Sequence, residues 1–347
     1  MSRFTLPRAV LATAAALLLG AWDQSSAQAV SAGGTTLSQR HNTGRIWRYT
    51  GTPCSGASCP GWRMIDNNPN TATTASGAGR IYQIHNDGRI WRWTGVFCSG
   101  NSCPGWQMID NNPATVAIAA TGQGFLFQQH NDGKIWRFTL TPCSGNSCPG
   151  WEMIDNNPAT STIAAGESSL YQMHNNGRIW RFTGTACSGA SCPGWQMLDN
   201  NPATRGIAAG GGRLYQVHQD GKIWRYTGTP CSGNSCPGWQ MLDNNSATRS
   251  IAAGSDGTLY QMHSDGKIWR FTGTPCSGGG CPGWQLIDNN TATRAIMAGG
   301  GQLYQLHSDG KIWQFTGTAC SGGGCPGWRM LDNNPATVAL TSGTGRK

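Results

Sequence analysis

Seven near-copies of one block, typified by His307-Ser-Asp-Gly-Lys-Ile-Trp313, run along this chain. Their histidines are His41, His85, His130, His174, His218, His263 and His307, at steps of 44, 45, 44, 44, 45 and 44 residues. The chain has no other histidine. A fixed period of that length means a repeat architecture, because each unit buries its apolar surface against the next copy. Seven copies fill most of the 347 residues and leave little room for a second domain.

In the seventh copy, four β-prone runs alternate with turns: Ala295 to Gly301, Gln302 to His307, Ile312 to Thr316 and Trp328 to Asp332. Asp309-Gly310, between the second and third runs, is a hairpin signal. Asp87-Gly88, Asp132-Gly133, Asn176-Gly177, Asp220-Gly221 and Asp265-Gly266 repeat it, and the first copy has Thr43-Gly44. A two-residue type I′ turn there sets His307 opposite Ile312 and Leu306 opposite Trp313. One face then carries Tyr304, Leu306, Trp313 and Phe315, and the other Leu303, Gln305, His307, Ile312 and Gln314. Four antiparallel strands in each repeat match one propeller blade. The expected fold is therefore all-β: a seven-bladed β-propeller, four antiparallel strands per blade, with one short disulfide loop per blade. An open solenoid is the alternative, but its end repeats need polar outer faces, and the terminal copies here are as apolar as the middle ones. Val30-Ser-Ala-Gly33 and Leu340-Thr-Ser-Gly343 both resemble the innermost strand. Eight candidates thus compete for seven places, and which end closes the ring stays open.

Arg3 and Arg8 precede an apolar run from Ala9 to Ala21, and Ala27-Gln28-Ala29 follows as a small-x-small site. This is the layout of a secretory signal peptide over residues 1–29, cleaved near Ala29, with 30–347 as a single propeller domain in a secreted or periplasmic protein. The run is short for a bilayer span and no later stretch is more apolar, so no membrane insertion is expected. The 14 cysteines fall into pairs: Cys54/Cys59, Cys98/Cys103, Cys143/Cys148, Cys187/Cys192, Cys231/Cys236, Cys276/Cys281 and Cys320/Cys325. In an exported chain these read as local disulfides. One pair supplies two of the four ligands that a structural zinc needs, so no metal is expected. The formal charge is +9, and removal of Arg3, Arg8 and Asp23 leaves +8. That excess allows an anionic partner without selecting one.

In an up-and-down blade, the strand 2–3 hairpins and strand 4–1 connections leave on one face of the disc. The histidines therefore share a face with the seven Asp-Asn-Asn connections, and the cystine loops are expected on the other. Candidate ligand-binding residues are the seven histidines, the second asparagines Asn68, Asn112, Asn157, Asn201, Asn245, Asn290 and Asn334, and Arg205, Arg249 and Arg294. The arginines follow Ala-Thr in three connections where Val116, Ser161 and Val338 stand elsewhere. Carboxamides and imidazoles beside tryptophan suit hydroxyl-rich ligands. The bland reading is that the asparagines cap turns and that the histidines and tryptophans are packing. The chain has only two glutamates, Glu152 and Glu167. Near-identical copies give near-identical environments, whereas acid–base chemistry needs groups tuned apart. No enzyme activity and no cofactor are expected.

The pattern Ile-Ala-Ala-Gly, Leu-Tyr-Gln, Asp-Gly-Lys-Ile-Trp-Arg and Gly-Trp-Gln-Met-Leu-Asp resembles the tectonin-type propeller lectins over nearly all of residues 30–343, and more loosely the tachylectin-2-like lectins. The resemblance implies glycan binding between adjacent blades. The cystine loops depart from the usual pattern of that family, so site residues are nominated from the face argument. The expectation is a secreted multivalent lectin that binds cell-surface or microbial polysaccharide, acidic polysaccharide included, with no nucleic acid as partner. The alternatives are a protein-interaction or envelope scaffold and an electrostatic binder of anionic polymer. The sequence leaves the oligomeric state unspecified.

Overall fold

A computed structural model describes residues 35–344. The proposed signal peptide and the Val30–Gly33 segment lie outside the described residues. The chain forms seven four-stranded antiparallel sheets, one per repeat, in the expected seven-bladed propeller. In blade seven the strands run from the axis outward as Thr293–Gly299, Gln302–His307, Ile312–Phe315 and Trp328–Asp332. Blade one takes its innermost strand from the other end of the chain: Thr337–Thr344 pairs with Thr35–His41. The C-terminal segment therefore closes the ring.

Seven apolar clusters hold the disc together, one at each junction between blades. Between blades two and three, Tyr82, Ile84 and Ile90 meet Ile118, Ala120, Leu126 and Phe138. Between seven and one, Tyr304, Leu306 and Ile312 meet Leu37 and Leu340. Burying one such side chain fully stabilises by roughly 1.5–3 kcal/mol. Alanine dominates the innermost strands, where the sheets converge and space is smallest.

The strand 2–3 hairpin differs from the expected two-residue turn by one residue. Leu306 pairs with Ile312, Gln305 with Trp313 and Tyr304 with Gln314. Gly310 N donates to His307 O at 3.1 Å and His307 N donates to Lys311 O at 2.9 Å. Of the turn residues only Gly310 has positive φ, at 84°. This is a three-residue loop, a type I turn followed by a left-handed glycine. It tolerates Thr43 in the first copy because the residue before the glycine stays right-handed. The slip regroups the side chains: Tyr304, Leu306 and Ile312 face the following blade, and Leu303, Phe315, Gln305, His307 and Trp313 face the preceding one. The expected face of Tyr304, Leu306, Trp313 and Phe315 does not form. A two-residue turn with positive φ at both centres occurs instead between the first and second strands, at Ala78-Gly79, Gly211-Gly212 and Gly300-Gly301.

The cystine loops bear out their pairing but not their expected place. The disulfides form within their own loops as Cys54–Cys59, Cys98–Cys103, Cys143–Cys148, Cys187–Cys192, Cys231–Cys236, Cys276–Cys281 and Cys320–Cys325. Their expected separation from the Asp-Asn-Asn connections is corrected by the structure. Each loop starts on the face opposite the hairpins but then climbs the outer rim of the preceding blade, drawn there by the unpaired backbone of that blade's outermost strand. Cys98 N donates to Met64 O at 3.1 Å, Trp106 Nε1 to Ile65 O at 2.7 Å, and Asn67 Nδ2 to the loop-tip Asn101 O at 2.8 Å. The same three bonds recur around the ring, ending with Cys54 on Met330, Trp62 on Leu331 and Asn333 on Ala57. Staples and Asp-Asn-Asn connections thus meet at the rim rather than being segregated.

Candidate functional site

The hairpins and the strand 4–1 connections do share a face. Asn131 N donates to Ala114 O at 2.8 Å. A Cβ on Gly133 would lie 2.5 Å from Asn157 O, so the hairpin glycine is needed for close approach as well as for its φ of 86°. The structure brings each histidine beside an Asp-Asn-Asn connection, but with the imidazole turned inward. The seven histidines are only 4–7% exposed. Each lies against the tryptophan of its own blade at centroid distances of 5.6–5.9 Å. Their Nε2 atoms are buried without a hydrogen-bond partner among the described residues. Burial pushes every imidazole below its usual pKa.

The aspartates of the connections are buried at 4–5% exposure. Asp243 and Asp332 close a polar network between blades, whereas Asp155 Oδ2 and Asp288 Oδ2 have no hydrogen-bond partner among the described residues. Gln261 Nε2 donates to Asp243 Oδ2 at 2.9 Å, and Thr248 Oγ1 donates to Gln261 Oε1 at 2.7 Å. At the ring closure Gln39 Nε2 donates to Asp332 Oδ2 at 2.8 Å, while Thr337 donates to Gln39. Burial raises the carboxyl pKa of all seven, opposed by the glutamine bond.

The second asparagines cap their own turns. Asn68 Oδ1 accepts from Asn70 N at 2.9 Å, and Asn112, Asn157, Asn201, Asn245, Asn290 and Asn334 do the same two residues on. Their Nδ2 amides make no hydrogen bond among the described residues. Arg205, Arg249 and Arg294 are half-buried extra residues where the innermost strands of three consecutive blades shift register. Arg205 donates to Thr248 O and Arg294 to Val338 O at 2.6 Å, each reaching the next blade. Five of the six third-strand arginines bond within their own blade, as Arg181 Nη2 does to Gln196 Oε1 at 2.7 Å, whereas Arg48 lies over the Trp93 ring of the next blade at 5.0 Å.

Two features lie on the opposite face, where sequence reasoning placed no site. The first is apolar. Among the described residues, the exposed large hydrophobic side chains are Val96, Val116, Phe125 and Leu140, all on blades two and three. Val96, Phe125 and Leu140 sit in connections of the opposite face; the pairing of Phe127 with Arg137 brings Phe125 and Leu140 to one end of blade three. Leu140 is 57% exposed and has a φ of +75°. The other six repeats place glycine there, at Gly51, Gly95, Gly184, Gly228, Gly273 and Gly317. That substitution was legible in the repeat alignment. The second feature is a cavity of about 480 Å³ between blades six and seven, announced in sequence by Gln314 standing where the other repeats have arginine. No group of three or more potential metal ligands clusters among the described residues.

No protein-family model and no curated protein matches the chain. Solved structures do. Prp20p from Saccharomyces cerevisiae is similar at a TM-score of 0.55 and 12% identity, over 90% of this chain and 87% of that one. Yeast RCC1 (Prp20) bound to Kap60 gives 0.54 and 12%, over 98% and 89%. Human WBSCR16 gives 0.54 and 10%, over 89% and 97%. At such identities the likeness is one of fold: this chain is built as a seven-bladed propeller.

Proposed function

We propose that the chain is a non-catalytic docking propeller, exported after cleavage near Ala29, that receives a protein partner on the face carrying Val96, Phe125 and Leu140. Leu140 carries the reading. A non-glycine residue in the left-handed region costs roughly 1–2 kcal/mol, and this one is exposed rather than packed. Local strain with no structural return is a pointer to function, and exposed apolar side chains on one face suit a protein surface. The residues shared by all seven blades are largely consumed in holding the blades together, so the distinguishing surface lies where repeats differ. One similar fold, represented by two structures, is described through protein partners: yeast Prp20p (RCC1), by its binding to Gsp1p and histones and in complex with Kap60.

The test puts back residues found at the same positions elsewhere in the ring: Val96→Thr and Leu140→Gly as in the other six repeats, and Phe125→Ser as in blade four, all together. Wild-type protein should enrich one protein from the exported fraction of its source, insensitive to free sugars, and the folded triple variant should lose it. Equal capture by the variant would remove the reading. A second reading, the multivalent lectin, is favoured by the seven solvent-side Asn Nδ2 amides held in place by their own turns. It expects glycan-array binding that weakens sharply with a monovalent competitor; a clean negative with folded protein disposes of it.

A further inference from the structure

We infer that the cavity between blades six and seven is a single binding site for a carboxylate-bearing sugar of the uronate class. It lies apart from the blade two and three patch and from the ring of asparagines. Its basis is the direction in which its hydrogen bonds run. Arg329 Nη2 donates to Gln314 Oε1 at 2.6 Å. A guanidinium offers no acceptor, so Gln314 must turn its oxygen to Arg329 and its amide away. That amide donates to Gln302 Oε1 at 2.7 Å. Gln302 in turn keeps its Nε2 as a donor without a partner among the described residues, at the wall of the cavity. One arginine, Arg329, therefore imposes a donor-rich lining.

The charge is also only partly compensated, with two arginines against one carboxylate. Arg270, from blade six, faces the same cavity and donates to the neutral Gln285 Oε1 at 2.7 Å. In blade three the corresponding arginine, Arg137, meets Glu152 at 2.5 Å. Against Arg270 and Arg329 stands one carboxylate, Asp256, held by Thr258 N at 3.0 Å and Thr258 Oγ1 at 2.7 Å. Planar guanidinium groups match a carboxylate, and the unused lone pairs of Asp256 suit sugar hydroxyls. Phe315 supplies an apolar wall. The volume fits one or two sugar rings. A peptide is the less suitable occupant, because strand addition needs a free sheet edge and the outer edge of blade six is covered where Cys320 N bonds Leu286 O at 3.1 Å. The site occurs once: blade seven alone has the order glutamine then arginine at these two positions.

The test is calorimetric and NMR titration of the folded protein. The probes are glucuronate and galacturonate, their neutral counterparts glucose and galactose, and a tripeptide as free acid and as amide. Uronates should bind at least tenfold more tightly than the neutral sugars. Arg329→Gln, the residue that four other repeats carry there, and Arg270→Gln should each weaken this tenfold or more, while Arg80→Gln on blade two leaves it unchanged. Equal affinity for uronates and neutral sugars, or a full response in R329Q, would overturn the site. Binding of the peptide acid without uronate would overturn the ligand class. If a variant fails to fold, the wild-type side-chain amide signals of Gln302 and Gln314 decide: they must shift on adding uronate and stay still with glucose.

Discussion

At the residue scale, the repeated histidines and the single Leu140 make opposite predictions about stability. Seven imidazoles are held below their ordinary pKa by burial, so unfolding takes up protons once the pH nears 6.5. A group depressed in the folded state lends stability that is complete above its unfolded pKa and lost as the pH falls through the window below it. Each proton taken up contributes a slope of about 1.4 kcal/mol per pH unit. The seven aspartates act the other way. Their raised pKa favours the fold at low pH, and that help is lost as the pH rises past their folded values, a window that opens upward from about 4. Between pH 7.5 and 5.5 the histidines act first, and the melting temperature should fall. His174→Gln should shrink that fall, since the His174 pKa is lowered only by burial and by Arg178. A melting temperature flat over this range would mean solvated imidazoles. For Leu140→Gly, relief of the left-handed strain should raise stability by about 1 kcal/mol in urea unfolding; a loss of stability would show that the exposed leucine packs. The burial of the histidines was not legible in sequence. Their period was plain, but which way they point depends on a register that one turn residue decides.

At the element scale, that turn shows where pattern reading stops. Asp-Gly serves both a two-residue turn with two positive φ values and a three-residue turn with one. Strand length and alternation do not separate them. Thr43-Gly44 held the needed hint, since threonine is a poor left-handed residue and an ordinary right-handed one. The cystine loops hid their role for a different reason. Topology dictates the face from which a connection departs, but not that it folds back along a neighbour. Each loop caps the open edge of the preceding blade with a backbone bond, an indole bond and an asparagine bond. Closing a loop of about six residues is worth about 2 kcal/mol in the chain-entropy account. Replacing Cys187 and Cys192 together by alanine should cost about that much in denaturant unfolding. Hydrogen exchange should then rise first along Trp151–Asp155, the strand that this loop covers. Exchange confined to the loop itself would show that the strap does not hold its neighbour.

At the scale of the whole molecule, the ring is held at one non-covalent seam. Thr337–Thr344 arrives from the far end of the chain and gives blade one its innermost strand, pairing along Thr35–His41 with one register shift. The sequence offered two candidates for that place, because small residues mark any strand near the axis. What distinguishes the C-terminal one is Thr337: it follows Asp-Asn-Asn as in the other connections and completes the threonine–glutamine–aspartate network through Gln39 and Asp332. Deleting residues 335–347 should therefore cost more than a frayed end. Leu340, 6% exposed, leaves the cluster that joins blades seven and one, a loss of roughly 1.5–3 kcal/mol by itself. The strand Thr35–His41 becomes an open edge, and open edges recruit other chains. The truncated protein should elute as oligomers in size-exclusion chromatography and melt at a lower temperature. A synthetic peptide of residues 335–347 should return it to the elution position of the intact chain. If the truncated chain matched the intact one in elution and melting temperature, the seam would not be what holds the disc closed, and blade-to-blade packing alone would have to suffice.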